Sequence, residues 1–468
     1  MLAWSQCPAS LPQRDRRDAA AQGLFLGILL AAAPQDRAPV EPALAGEDVQ
    51  AALAQVSVDR LKADVTALVS CGTRHPLSTG GAPGHGVDAA RAYLREQLAK
   101  CAASSAGRMQ VRVDEFRHAL GRGSDREATF VNLIAFIKGS DPARGAWVIG
   151  GHYDSRNSRA NDGEGAAPGA DDDASGVAVV LELARAFAGV APKADVYLCA
   201  FDGEEHGLFG SHHLAQAMKD AGLGVEAMVT NDIVGASRGA DGEAHDGSMR
   251  CFSEGFSGGA EDRFFRQVAA ETEGPSRQLA RFAALISARY QPDFDVQLNY
   301  RRDRFGRGGD HLAFNERGYA AIRFTEAAED YRHQHQDVRV EGGVPHGDCI
   351  EHVDFDYLAR VCRVNLAVAM NGALAPAPPQ SVHLRGAVQP YTTVAWTEVT
   401  GGDVAGYRIW LRPTDASRWQ RSLFVRSGNG SQRLDGVSID DWQFAVSAVD
   451  AHGHESPARF PSPEPRSR

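Results

Sequence analysis

The chain has 468 residues, enough for two or three domains, and its 43% of apolar residues can furnish their cores. Forty-nine basic against 60 acidic side chains give a formal charge of −11 with no long basic run, which argues against a nucleic-acid or anionic-membrane partner. The seven cysteines include no Cys-x-x-Cys pair, so neither a thiolate zinc site nor a redox motif is supported.

Arg14, Arg16 and Arg17 precede an apolar run over 19–33 that ends in small residues before Pro34. This is the layout of a cleavable export signal over residues 1–34, and the run is shorter than a membrane span needs. It predicts a secreted or periplasmic protein with no membrane span after cleavage. A helix is expected over 47–68, with Val58, Leu61, Val65 and Leu68 at helical spacing, and another over 87–100. The Gly-rich stretch between them reads as a loop, and His75 within it as a solvated histidine rather than a ligand.

Strands expected at 130–137, 147–151, 194–201, 227–233 and 320–325 alternate with helical stretches. Cys199, within the third, reads as a small core residue. This alternation predicts an α/β fold with a mostly parallel central sheet and helices on both faces. In such a sheet, ligands bind beyond the carboxyl ends of the strands, where the following loops converge.

Those loops carry acids and histidines. His152-Tyr-Asp154 follows the second strand, and Asp171, Asp172 and Asp173 precede an apolar helix that runs to Phe187. Three consecutive carboxylates repel one another, and a divalent metal that draws in carboxylates and a neutral imidazole is the simplest way to hold them. Each piece alone has an ordinary explanation: Asp and Ser before a helix are N-caps, and Glu204-Glu205 suits the first turn of one. Asp232, inside an apolar run, is costly unless it is paired or coordinated. Tyr331-Arg-His333-Gln-His335 follows the last strand.

A Pro-rich linker over 373–380 leads to short alternating strands at 381–384, 392–396, 406–411, 421–425 and 442–449. They describe a small all-β sandwich over 381–461 with no concentration of His or acid, hence support rather than chemistry.

Between about residues 50 and 370 the ordered motifs resemble the M28 family of zinc exopeptidases, whose aminopeptidases use two co-catalytic metals. The matching residues are His152-Tyr-Asp154, Pro168 to Gly176, Glu204-Glu205, Asn231-Asp232, Gly309-Asp310-His311 and Gln334-His335-Gln336. The resemblance implies a peptidase domain over 47–372 that binds two zinc ions. His152 and Asp232 would hold one, Glu205 and His335 the other, and Asp172 would bridge them. Asp154 would orient His152, and Glu204 would be the general base. The activity implied is release of N-terminal residues from peptide substrates. A carboxypeptidase or dipeptidase, or a mono-zinc glutaminyl cyclase, are the alternatives on the same fold. A non-enzymatic binding ectodomain is disfavoured by the completeness of the ligand set.

Three departures stand out. His333 competes with His335, and the family spacing after Asp330-Tyr331 favours His335. Gly309 replaces the family's usual Ser, and Arg301, Arg302, Arg304 and Arg307 crowd a loop where some relatives carry a tyrosine. Those arginines either line the cleft or form a solvated surface. The C-terminal segment resembles a fibronectin type III module in which Trp442 takes the place of the corner tyrosine.

Overall fold

The computed structural model describes residues 42–256, 262–400 and 403–462. The expected export segment, 1–34, lies outside them. The first elements are α1 (Glu47–Leu53), α2 (Val58–Val69), α3 (Val87–Ser104), β1 (Met109–Gly121), β2 (Ser124–Ile137), β3 (Ala146–His152), α4 (Ala174–Phe187) and β4 (Val196–Phe201). There follow α5 (Glu204–Gly207), α6 (Phe209–Asp220), β5 (Val225–Asn231), β6 (Ser248–Ser253), α7 (Asp262–Gln267), α8 (Pro275–Tyr290), β7 (Asp295–Asn299), α9 (His311–Asn315) and β8 (Ala321–Glu326). The short β9 (Arg339–Glu341) and β10 (Val344–His346) precede α10 (Phe355–Leu374).

Eight strands form one sheet in the order β1-β2-β4-β3-β5-β8-β6-β7. The centre is parallel, with β3 pairing β4 and β5, and β5 pairing β8; β6 and β7 are also parallel. Antiparallel pairing joins β1 to β2, β2 to β4 and β6 to β8. Side chains alternate between the two faces. On β2, Leu133, Ala135 and Ile137 join the larger core with residues of α2, α3, α4, α8 and α10, while Ile134 and Phe136 face the smaller core built on α6 and α9. The mostly parallel, two-face α/β architecture read from the strand and helix alternation is therefore the observed one.

The local departures have physical causes. The helix expected over 47–68 is two: Ser57 caps α2 by accepting from Arg60 N, and Ser57 N itself donates to buried Glu182. A cap residue inside a periodic run is a start signal. The long β1–β2 hairpin begins well before residue 130, because most of β1 is half-buried or exposed and so lacks an apolar pattern. Asp232 is not inside a strand, since β5 ends at Asn231 and releases it into the loop.

Six further strands, β11 (Val382–Arg385), β12 (Tyr391–Trp396), β13 (Val404–Pro413), β14 (Arg421–Arg426), β15 (Ser431–Asp435) and β16 (Trp442–Asp450), form two antiparallel sheets, β11-β12-β15 and β14-β13-β16. Their core includes Val394, Trp396, Tyr407, Ile409, Phe444 and Val446. The segment joining them to α10 is not a free tether. Pro376 and Pro379 are buried, and the carbonyl of Ala375 accepts from Arg144. Between the two halves, buried Glu273 pairs with Arg281 and with Arg412 of β13, and Glu455 with Arg289 of α8.

His454 adds a pH-sensitive tie, 2.9 Å from Asp450 and 3.1 Å from Asp48 of α1. Burial favours the neutral ring, but hydrogen bonding to and the charges of Asp450 and Asp48 outweigh it and raise the His454 pKa. This stabilisation is complete below the unfolded value of about 6.5 and is lost as pH rises through the raised folded value. His454→Gln is therefore expected to cost about 1 kcal/mol in urea unfolding at about pH 5, and less at about pH 10. An equal loss at both would remove the charge from the account.

Candidate metal centre and catalytic cleft

The carboxyl ends of the parallel strands supply the site. His152 is the last residue of β3, Glu204 and Glu205 open α5 just after β4, and Asp232 follows β5. Asp172 stands on the loop before α4, and His335 on the loop after β8. Two groups result, His152 with Glu204 and Asp232, and Asp172 with Glu205 and His335, the donor atoms of each lying within 4.8 Å of one another. Asp172 faces both. Its Oδ1 is 3.1 Å from His152 Nε2, which is itself 3.9 Å from Asp232 Oδ1. Its Oδ2 is 3.0 Å from His335 Nε2, which is 2.9 Å from Glu205 Oε1.

The donors fit a metal. His152 Nε2 and Glu205 Oε1 are buried, and neither has a hydrogen-bond partner of good geometry among the described residues. A buried polar atom left unpaired is costly, so a pair of such atoms inside a ring of imidazole and carboxylate donors suits zinc. Among the imidazoles, burial opposes protonation, but the Glu205 charge and hydrogen bonding to Asp172 push His335 up to about 10. Protons and metal thus compete for the same lone pairs.

The three aspartates divide their work. Asp173 Oδ2 accepts from His152 N at 3.0 Å, and its Oδ1 caps α4 by accepting from Gly176 N at 2.9 Å. Asp171 Oδ1 accepts from Gly235 N at 2.6 Å. Only Asp172 turns both oxygens to the two donor groups. Asp154 accepts from the backbone N–H of Glu204 and of Glu205, each at 3.2 Å, and its carbonyl lies 3.1 Å from His152 Nδ1. Burial alone would raise its pKa, but the His152 and His206 imidazoles hold Asp154 below the usual carboxylate range. Glu204 is half-buried and lines the cleft, and burial, reinforced by Asp232, Glu205 and Asp310, raises its carboxyl well above the usual value against the pull of His152.

His333 is apart from this cluster, stacked on His352 with centroids 3.7 Å apart. His75 is not solvated as expected: it is fully buried, with Nε2 3.1 Å from the carbonyl of Ala160 and 3.1 Å from His206 Nε2. Residues 73–76 are buried because Arg74 donates to the carbonyls of Tyr153, Pro168 and Gly169, while the Gly-rich 79–85 that follow are exposed. Asp310 and His311 lie in neither donor group. Gly309 has a local reason, since a Cβ there would meet Arg323 Nη1 at 2.8 Å. Of the four loop arginines, Arg304 and Arg307 line the cleft, while Arg302 pairs near the surface with Glu316 and Glu254.

Arg323 is the residue that sequence patterning missed. It is fully buried on β8, with Nη2 2.8 Å from Asp232 Oδ1 and Nη1 donating to the carbonyl of Gly308. A lone arginine in an otherwise apolar strand was the available signal. Arg323→Met is expected to destabilise by about 3–5 kcal/mol in urea unfolding, because it strands a buried carboxylate. A loss below about 1 kcal/mol would mean Asp232 does not depend on it.

The groups open onto a cavity of about 360 Å³. Arg156 stands beside it, donating from Nε to Glu205 Oε2 at 2.8 Å and lying 2.6 Å from His335 Nδ1 through Nη2.

The profile of Peptidase family M28 matches residues 132–340. A protein of Pyricularia oryzae described as a probable zinc metalloprotease is 41% identical over 429 residues, covering 89% of this chain and 84% of its own. Another so described, from Pyrenophora tritici-repentis, is 40% identical over 425 residues, covering 89% and 87%. Among solved structures, the Legionella pneumophila LapA aminopeptidase has a TM-score of 0.50 at 21% identity, covering 74% of this chain and 80% of its own. The Macrostomum lignano glutaminyl cyclase also has a TM-score of 0.50, at 16% identity, covering 71% and 94%. These two likenesses show the shared fold and do not choose between the two activities. With the relatives matched over most of their length and the family's motifs gathered at one sheet edge, the chain belongs to Peptidase family M28, the zinc metalloproteases.

Proposed function

We propose that the chain is an aminopeptidase that uses two zinc ions to hydrolyse the first peptide bond of its substrates. The observation that carries this is Asp172, whose two oxygens face separate donor groups, each with its own imidazole. A single zinc ion would need only one of these groups. The cavity, at the small end for ligand sites, suits a chain end rather than an extended peptide.

In this reading His152 and Asp232 would hold one ion and Glu205 and His335 the other, with Asp172 contributing to both. Bound zinc would polarise the scissile carbonyl and lower the pKa of the attacking water. Glu204, which lines the cleft within reach of the first group, takes the proton from that water and later delivers it to the departing amine. Asp154 fixes the backbone of both glutamates with its carboxylate and the ring of His152 with its main-chain carbonyl, so the base and a ligand are oriented by one residue. Residues 1–34 we read as an export signal, which makes extracellular or periplasmic peptides the substrates.

The test is cleavage of one short peptide offered with a free N-terminus and again N-acetylated, with and without a zinc chelator. Chelator-sensitive release of the first residue from the free form alone supports the proposal. Cleavage of both forms, C-terminal release, or cyclisation of an N-terminal glutamine would replace the reaction while keeping the metal centre.

A further inference from the structure

Among the described residues, the cleft presents few apolar side chains. Of the described residues that line it, Leu208 is the only one with an apolar side chain, whereas Arg122, Arg156, Arg304 and Arg307 face it alongside the carboxylates of the two donor groups. An exopeptidase selecting leucine or phenylalanine would need an apolar pocket here, and the lining offers guanidinium groups instead.

Two of the four are fully engaged. Arg304 reaches Asp303 at 3.2 Å, Glu329 at 3.2 Å and the carbonyl of Gly308 at 3.3 Å, each through a different nitrogen. Arg156 is spread over Glu205, Asn157 and His335. The other two keep donors in reserve. Arg122 uses Nε on the carbonyl of Glu205, and Arg307 uses Nη1 on Glu329 at 3.0 Å. Their remaining N–H groups meet no acceptor among the described residues. Glu329 does not neutralise Arg307, because it also carries Arg250 and Arg304.

The backbone of Arg122 is set by a tight turn. It forms the turn of the β1–β2 hairpin with φ +50°, between Gly121 at +75° and Gly123 at +81°. Such values are unusual for a residue with a side chain. Its carbonyl accepts from Asn161 at 3.1 Å, which ties the turn to the loop beside the cleft. Guanidinium forks with donors free to turn towards a ligand are a standard receptor for a carboxylate, and Arg122 stands exposed and Arg307 half-buried at the cleft.

We propose that Arg122 and Arg307 bind a carboxylate of the substrate close to the scissile bond, so that the preferred substrates are short acidic peptides or dipeptides. This rests on the exopeptidase reading only in taking the cleft as the place where a peptide is cut. The carboxylate has three possible sources, and four peptides separate them: Ala-Ala-amide has none, Glu-Ala-amide carries it on the first residue, Ala-Glu-amide on the second, and Ala-Ala at the terminus.

With the zinc-loaded full chain, at least one of the three acidic peptides is expected to exceed Ala-Ala-amide in kcat/KM by about tenfold or more. That ratio should fall towards one in R122Q, in R307Q and most of all in the double variant. If the double variant does not fold, the single variants read the same ratio. No preference, or a preference that survives both substitutions, overturns the proposal. The same peptides are titrated calorimetrically into zinc-loaded E204Q and its R122Q/R307Q derivative. Carboxylate-dependent affinity that disappears with the arginines, alongside no turnover of any peptide by the wild type, would overturn the reaction and keep the arginine site. Affinity that persists without the arginines would assign the carboxylate to the metals and overturn the proposal.

Discussion

Glu204→Gln is expected to lower kcat by about 10²–10⁴-fold while zinc content stays at the wild-type level. The amide fills the same space and can still accept or donate a hydrogen bond, but it cannot take a proton from water at neutral pH. Glu204 is half-buried at the cleft and has its backbone N–H on Asp154, so the substitution leaves the loop anchored. The measurement is kcat beside elemental zinc per chain. Because a Glu204 oxygen lies within 4.8 Å of donors on His152 and Asp232, zinc loss in the variant would make Glu204 a ligand instead of the base. Unchanged turnover would remove it from the mechanism.

The second large effect concerns the two histidines that share one short motif. His335→Ala is expected to lose one zinc of two and at least about 100-fold in activity. Removing its ring leaves Asp172 Oδ2 and Glu205 Oε1 facing each other across an empty position, two buried acceptors with no donor between them. His333→Ala should keep both ions and near wild-type turnover, since its ring stacks on His352 away from the donor groups. The reverse pattern in zinc analysis would transfer the ligand role to His333.

How much of this was legible in the sequence follows from what each residue has to do. Apolar runs such as 147–151 announced themselves because a central parallel strand is buried on both faces. The outer strands β6 and β7 did not, being short and partly polar. Resemblance singled out Asp172 from its neighbours, but only the fold explains the choice: Asp171 and Asp173 are consumed by backbone N–H groups. His335 is similar, because two residues of spacing cannot say which ring turns inward. His75 reads as solvated because it precedes a Gly-rich polar stretch, 79–85, that is indeed exposed, and nothing local reveals that Arg74 draws 73–76 inward. Arg323 and Arg156 were passed over because their partners, Asp232 and Glu205, are 91 and 49 residues away. The apolar run around Arg323 marks it as unusual, but long-range pairing leaves no local pattern that names the partner.

The joint between the two halves bears on orientation. The Pro-rich segment lies largely buried, and Glu273 and Glu455 are clamped by arginines from both sides of the boundary. A module hung on a flexible tether samples many directions, so its partner surface dictates nothing about the catalytic half. Here the two should tumble as one rigid rotor, with a single rotational correlation time. Any surface that grips the sandwich therefore also sets the direction in which the cleft faces.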